Sequence, residues 1–216
     1  MDKKKIPTAV YAEMTPNPAT MKFVADRSLI SGGLQVEYKN AQEAKGSSAL
    51  AEELFHFPFV KGVFISSNYV TITRDESLDW DMIVMQLREY IREWLMENEI
   101  AVSTIPSSLM TRESQQTISD EGSNEQHIFK SENIVFAPSQ YDDEIIFLLN
   151  EYVRPAVEQD GGAIDFVGYD NKKVYVNMRG ACSGCPSSTA TLKGGIENLL
   201  KAKLADVVEE VIAQSV

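Results

Sequence analysis

Gly180-Ala181-Cys182-Ser183-Gly184-Cys185-Pro186-Ser187-Ser188 is the stretch on which the reading of this chain turns. It holds both cysteines of the sequence, set between glycines that keep bulk away and a proline that suits a first helical turn. A Cys-x-x-Cys loop lets two thiolates converge on one centre. Behind it, Leu192, Ile196, Leu199 and Leu200 recur at helical spacing with Lys193, Glu197 and Lys201 facing outward, so a helix is expected from Ser187 onward. The free N–H groups and positive dipole end of that helix are expected to favour the charged thiolate form. Spacing alone leaves zinc, dithiol redox and iron-sulfur chemistry open.

The remaining ligands narrow the choice. A structural zinc ion takes four ligands, and His56 and His127 stand far from the pair, one at a helix end and one in a polar stretch. A thioredoxin-like redox pair also follows a strand and opens a helix, but from Tyr141 only one helix and one hairpin precede the motif. Two cysteines flanked by glycines at a helix start make poor core packing. A four-iron cluster takes four thiolates where one chain supplies two, so a cluster here is one shared by two chains.

Working back from the loop, Ile164-Asp165-Phe166-Val167 and Lys173-Val174-Tyr175-Val176-Asn177-Met178 read as two strands joined at Tyr169-Asp170-Asn171. Before them, Tyr141 to Gln159 carries Ile145, Ile146, Leu148, Leu149, Tyr152, Val153, Ala156 and Val157 on one broad face, with Asp142, Asp143 and Glu144 at its positive end. It reads as an amphipathic helix kinked at Pro155 and stopped by Asp160-Gly161-Gly162. Val207 to Ile212 is compatible with a short strand or a continued helix.

The front of the chain has its own pattern. Thr20 to Ala25, Gly62 to Ile65 and the alternating Tyr69 to Thr73 read as strands, the last after a turn at Ser67-Asn68. Ser48 to Phe55 is a short helix, and Asp79 to Met96 a longer one with Ile83, Leu87, Tyr90, Ile91, Trp94 and Leu95 on one side. Between the two patterns lie 43 residues, 97–139, that contribute −5 of the net charge of −12 and are rich in Ser, Thr, Gln, Glu and Asn. Such a composition does not repay chain entropy by burial, and it reads as a flexible acidic linker. The fold class expected is α+β, two small α/β-sandwich-like domains over residues 1–96 and 140–216.

Composition excludes several classes of function. A net charge of −12 argues against affinity for nucleic acid, which needs clustered Lys and Arg to displace counterions. No apolar run is long enough for a membrane span. Two cysteines so close together do not form a disulfide framework, and the basic start Met1-Asp2-Lys3-Lys4-Lys5 reads as neither a secretory signal nor a transit peptide. A cytoplasmic location is the expectation.

These residues also carry a resemblance. Arg154-Pro155-Ala156-Val157-Glu158-Gln159-Asp160-Gly161-Gly162, then the cysteine loop, then Thr191-Leu192-Lys193-Gly194-Gly195-Ile196-Glu197 resemble the NifU C-terminal domain over about residues 141–213. Thr15-Pro16-Asn17-Pro18-Ala19-Thr20-Met21-Lys22-Phe23 and Ala49-Leu50-Ala51-Glu52-Glu53-Leu54-Phe55, with Val63 to Thr73 and Asp79-Trp80, are similar to the N-terminal domain of Nfu-type scaffold proteins. The resemblance implies an iron-sulfur cluster carrier rather than an enzyme. Cys182 and Cys185 would ligate a [4Fe-4S] cluster, or a smaller [2Fe-2S] one, across a homodimer. The cargo would come from cluster-assembly machinery or be built in place, and pass to apo-proteins. A dithiol oxidoreductase is the rival from the enzyme class, and an adaptor with a dimer-bridging zinc ion is the third reading. One departure stands out: the family carries an acidic residue directly after the two glycines, where this chain has Ala163. Lys193 reads as a solvated helix lysine, His56 as a helix-end histidine, and Thr15-Pro16-Asn17-Pro18 as a rigid turn or docking loop.

Overall fold

The computed structural model describes residues 5–104, 136–184 and 186–215. The chain divides into two compact units, Met1–Met110 and Thr111–Val216. Most of the segment read as a linker, residues 105–135, lies outside the described residues.

The first unit is a five-stranded antiparallel sheet in the order β1-β2-β5-β4-β3, with β1 Val10–Met14, β2 Thr20–Ala25, β3 Gln35–Tyr38, β4 Val60–Ser66 and β5 Tyr69–Arg74. The β4–β5 connection is the expected two-residue turn, Ser67 taking a positive φ of 45°. Helices α1 (Ala41–Ala44) and α2 (Ala49–Leu54) join β3 to β4, and α3 (Trp80–Glu97) follows β5 and packs on β1 and β2. Ser48 caps α2 by accepting from Ala51 N–H. Ile83, Leu87, Ile91 and Leu95 recur every fourth residue of α3 and are all buried, so one stripe meets Phe23, Val36, Val63, Ile65, Val70 and Ile72 of the sheet. The chain after α3 stays packed: Ala101 and Val102 are buried, Ala101 N–H donates to Leu29 O at 2.9 Å, and Ser103 N–H to Ser47 O at 2.9 Å.

The second unit runs α4 (Asp142–Leu148), a π-helical turn (Leu149–Val153), α5 (Arg154–Gln159), β6 (Gly162–Asp170), β7 (Lys173–Gly180), α6 (Pro186–Lys203) and β8 (Glu210–Ser215). The expected kink is thus a widened turn. Pro155 has no N–H to continue the helical ladder, and Arg154 N–H donates to Leu149 O, five residues back. β6 and β7 form an antiparallel hairpin whose turn residues Asn171 and Lys172 both have positive φ. The undecided last stretch resolves as β8, which pairs parallel to β7, with α6 as the crossover that parallel pairing requires. Ile164, Phe166, Val174, Val176, Met178 and Val211 on one sheet face pack with Ile145, Leu149, Val153, Val157, Ile196 and Leu200 of the helices.

Candidate metal centre

Three chain segments meet around Cys182. The end of α5 supplies Asp160 and Gly161, the latter at φ +82°, a left-handed position that lets the helix stop and the chain enter β6. The end of β7 supplies Gly180 at φ +62°, and the loop reaches α6 through Gly184 at φ +77°. The two strand ends are in register, Gly162 opposite Gly180. The loop is stitched to both. Ala181 N–H donates to Gly161 O at 3.2 Å, Ser183 donates from N–H (3.2 Å) and Oγ (3.0 Å) to Gly180 O, and Thr189 Oγ1 donates to Cys182 O at 3.1 Å.

Cys182 is a free thiol, 7 % exposed, and belongs to the hydrophobic core of the unit. Burial pushes it up to about 12, and the Asp160 carboxylate adds to the rise. The expectation that the helix start would favour thiolate is therefore corrected for Cys182: the side chain is packed in the core, and desolvation there favours the neutral thiol. Cys185 lies outside the described residues. Among the described residues, no group of three or more His, Cys, Asp or Glu could hold a metal ion, and no helix is long and apolar enough to cross a membrane.

The raised thiol has a consequence for the metal-free protein. A folded-state value above the ordinary 9.0 means that the fold favours the neutral thiol, so this contribution to stability is complete below pH 9 and is lost as pH rises toward 12. Over that window, urea unfolding of the wild type should show stability falling more steeply than that of Cys182→Ala, by up to about 1.4 kcal/mol per pH unit. Parallel profiles would mean that the sulfur is solvated.

Sequence reasoning did not identify Gly162 or the Asp165–Arg179 pair. A methyl group on Gly162 would lie 2.5 Å from Cys182 Sγ and 2.8 Å from Arg179 O, closer than real Cβ atoms come. The signal was present, since a helix stop needs one left-handed glycine, Gly161, and a second glycine follows it that the turn itself does not call for. Arg179 Nη2 meets Asp165 Oδ2 at 2.7 Å with both side chains buried, on the sheet face turned from the helices. Ala163 is buried directly across from Arg179, and the carboxylate that Arg179 binds comes from two residues further on.

The other singled-out residues have local partners. Lys193 Nζ stands 3.8 Å from Glu210 Oε1, tying α6 to β8, and exposed His56 is 3.9 Å from Glu53. Thr15-Pro16-Asn17-Pro18 is a built turn. Asn17 Oδ1 accepts from Ala19 N–H at 3.0 Å, and Pro18 O accepts from Trp80 Nε1 at 2.9 Å, anchoring the start of α3.

With this geometry in place, comparison with known proteins is direct. Residues 10–98 match the family described as scaffold protein Nfu/NifU N terminal, and residues 145–212 match the NifU-like domain. The chain belongs to the Nfu/NifU family. A curated relative from Drosophila sechellia, named NFU1 iron-sulfur cluster scaffold homolog, mitochondrial, is 30% identical over 212 residues, covering 95% of this chain and 66% of the relative. Its counterpart from Drosophila erecta is 31% identical with the same coverage, so this Nfu/NifU chain spans about two thirds of the length of those relatives. A solution structure of a NifU-like protein from Saccharomyces cerevisiae aligns at TM-score 0.41 and 23% identity, over 48% of this chain and 90% of that one. The cytoplasmic expectation is overturned by the mitochondrial names of the relatives. The free thiol of Cys182 asks for a reducing compartment, and the cytoplasm is not the sole one that meets the need.

Proposed function

We propose that this Nfu/NifU chain is an iron-sulfur cluster scaffold and carrier. Cys182 and Cys185 of two copies would hold a [4Fe-4S] cluster between them and release it to apo-proteins, and residues 1–96 would serve as a recognition module joined to the cluster-binding domain, 140–216, by the acidic segment 97–139. The observation that carries this is the placement of the cysteine loop. It is held at both ends by glycines in left-handed conformations, stitched to the Asp160-Gly161-Gly162 turn, and continued directly by α6. The iron-sulfur scaffold names of the relatives support the cargo, and the presence of two cysteines in the whole sequence supports a site shared between copies.

Release needs no acid, base or nucleophile from this chain. A client thiolate forms a bond to iron as a bond from Cys182 or Cys185 breaks, and the displaced thiolate takes up a proton. No electron moves. A dithiol oxidoreductase would instead need a thiolate poised for attack, and burial of Cys182 opposes that.

Anaerobic reconstitution followed by sizing and by iron and sulfide assay tests the reading. The expected holo form is a dimer with about four irons and four sulfides per two chains, and Cys182→Ala and Cys185→Ala should each abolish uptake while keeping the metal-free circular dichroism spectrum. A monomeric holo form, or iron without sulfide, would overturn it.

A further inference from the structure

We infer that Cys182 has two positions, one stowed in a seat made by Gly162 and one presented for ligation, and that Gly162 is the positioning residue that sets the balance between them. Gly162 does not have one of the positive φ values that call for glycine, so its lack of a side chain serves space and not backbone freedom. That space is filled by sulfur: any Cβ there would meet Cys182 Sγ at 2.5 Å and Cys182 N at 3.0 Å. The walls of the seat are backbone of two strand ends held in register, Gly162 against Gly180, so the seat cannot widen to admit both a methyl group and the thiol.

A sulfur packed in the core of one copy cannot also bond a cluster shared with a second copy. The inference rests on the proposed function to that extent, and it makes loading a two-step event in which the thiol leaves before it ligates. The loop is built for such a movement. Gly180 and Gly184, both at positive φ, stand at either end of Ala181-Cys182-Ser183, and the contacts that hold the closed form include the Sγ seat, the Ala181 N–H on Gly161 O, the Ser183 bonds to Gly180 O, and the Thr189 hydroxyl on Cys182 O. Breaking them exposes one small side chain and leaves the strands and α6 in place.

The test uses the metal-free full chain with Cys185→Ser, so that Cys182 is the sole thiol, and follows the rate of labelling by N-ethylmaleimide. In the native protein Cys182 should react at least about tenfold more slowly than in the urea-unfolded chain at the same pH, as expected for a site that must open first. Adding Gly162→Ala should raise the native rate at least severalfold while the circular dichroism spectrum stays native. Native labelling as fast as in urea, or a rate unmoved by Gly162→Ala, overturns the seat. If Gly162→Ala gives no cooperative melt, Thr189→Ala takes its place, since it removes a single hydroxyl from a partly exposed position: faster labelling supports the two-position loop, and an unchanged rate overturns it. Iron and sulfide uptake by the wild type separates this from the carrier reading. Slow labelling without uptake keeps the seat and removes the cargo, and fast labelling with normal uptake does the reverse.

Discussion

Arg179→Met should destabilise the second unit by about 3–5 kcal/mol, because it leaves the Asp165 carboxylate buried with its charged partner removed. The two side chains meet at 2.7 Å and are each only 7 % exposed, so water does not replace the guanidinium at no cost. Asp165→Leu should be nearly as harmful for the mirror reason, a buried guanidinium that has lost its carboxylate. The double variant, Asp165→Leu with Arg179→Met, should recover most of the loss, since well-packed apolar groups avoid the desolvation that the pair itself has to overcome. Urea unfolding of all four proteins closes the cycle. A single variant within about 0.5 kcal/mol of wild type would show that the face bearing Asp165 is wet.

The pair also bears on position 163, where this chain has an alanine. Ala163 lies across from Arg179 on the neighbouring strand, and Asp165 lies diagonally, within reach of a long side chain. Both positions are on the same sheet face. Residues two apart share that face, while their neighbours Ile164 and Phe166 turn into the apolar core.

Much of this architecture was legible in the sequence, for reasons that differ by element. The long helix α3 and strand β7 follow from periodicity, because their buried side chains recur at the spacing of the element, whereas β2 and β5 follow from short runs rich in β-branched and aromatic residues, buried on both faces over most of their length. Strands β1 and β3 were not read. β3 is four residues long, too short to establish an alternation, and β1 lies at the sheet edge with Tyr11 and Met14 exposed, so its pattern does not separate a buried from a solvated face. The last stretch was ambiguous because Val207, Val208, Val211 and Ile212 suit both periods. Only the pairing of β8 with β7 decides it. At the candidate site, the loop and its glycines were visible, but the inward turn of Cys182 was not. Which way a side chain points from an irregular loop depends on long-range contacts such as those at Gly161 and Gly162, and local pattern does not encode them. Reading the helix start as a source of thiolate character treated the dipole as the whole environment and left out burial, which raises the Cys182 thiol.

The second large effect concerns Phe136, a residue inside the segment whose average composition reads as linker. One aromatic side chain hardly moves such an average, yet Phe136 is buried with Val167 and Tyr175, its ring centroid 4.5 Å from that of Tyr175. Phe136→Ala should therefore destabilise the second unit by about 3–5 kcal/mol, although the residue precedes the span that matches the NifU-like domain. Gly168 is the other half of this contact. A Cβ there would lie 2.3 Å from Phe136 Cγ and 2.7 Å from Phe136 Cβ, the rigid base of the side chain and not a movable tip. Gly168→Ala alone should cost about 1–3 kcal/mol through overpacking. Combined with Phe136→Ala, however, the new methyl group enters space that the ring has vacated, so the double variant should be more stable than the sum of the two single losses predicts, by at least about 1 kcal/mol. Urea unfolding of the four proteins measures that difference. Strict additivity would mean that Phe136 does not rest on Gly168 in solution, and that the outer face of the hairpin is covered in some other way.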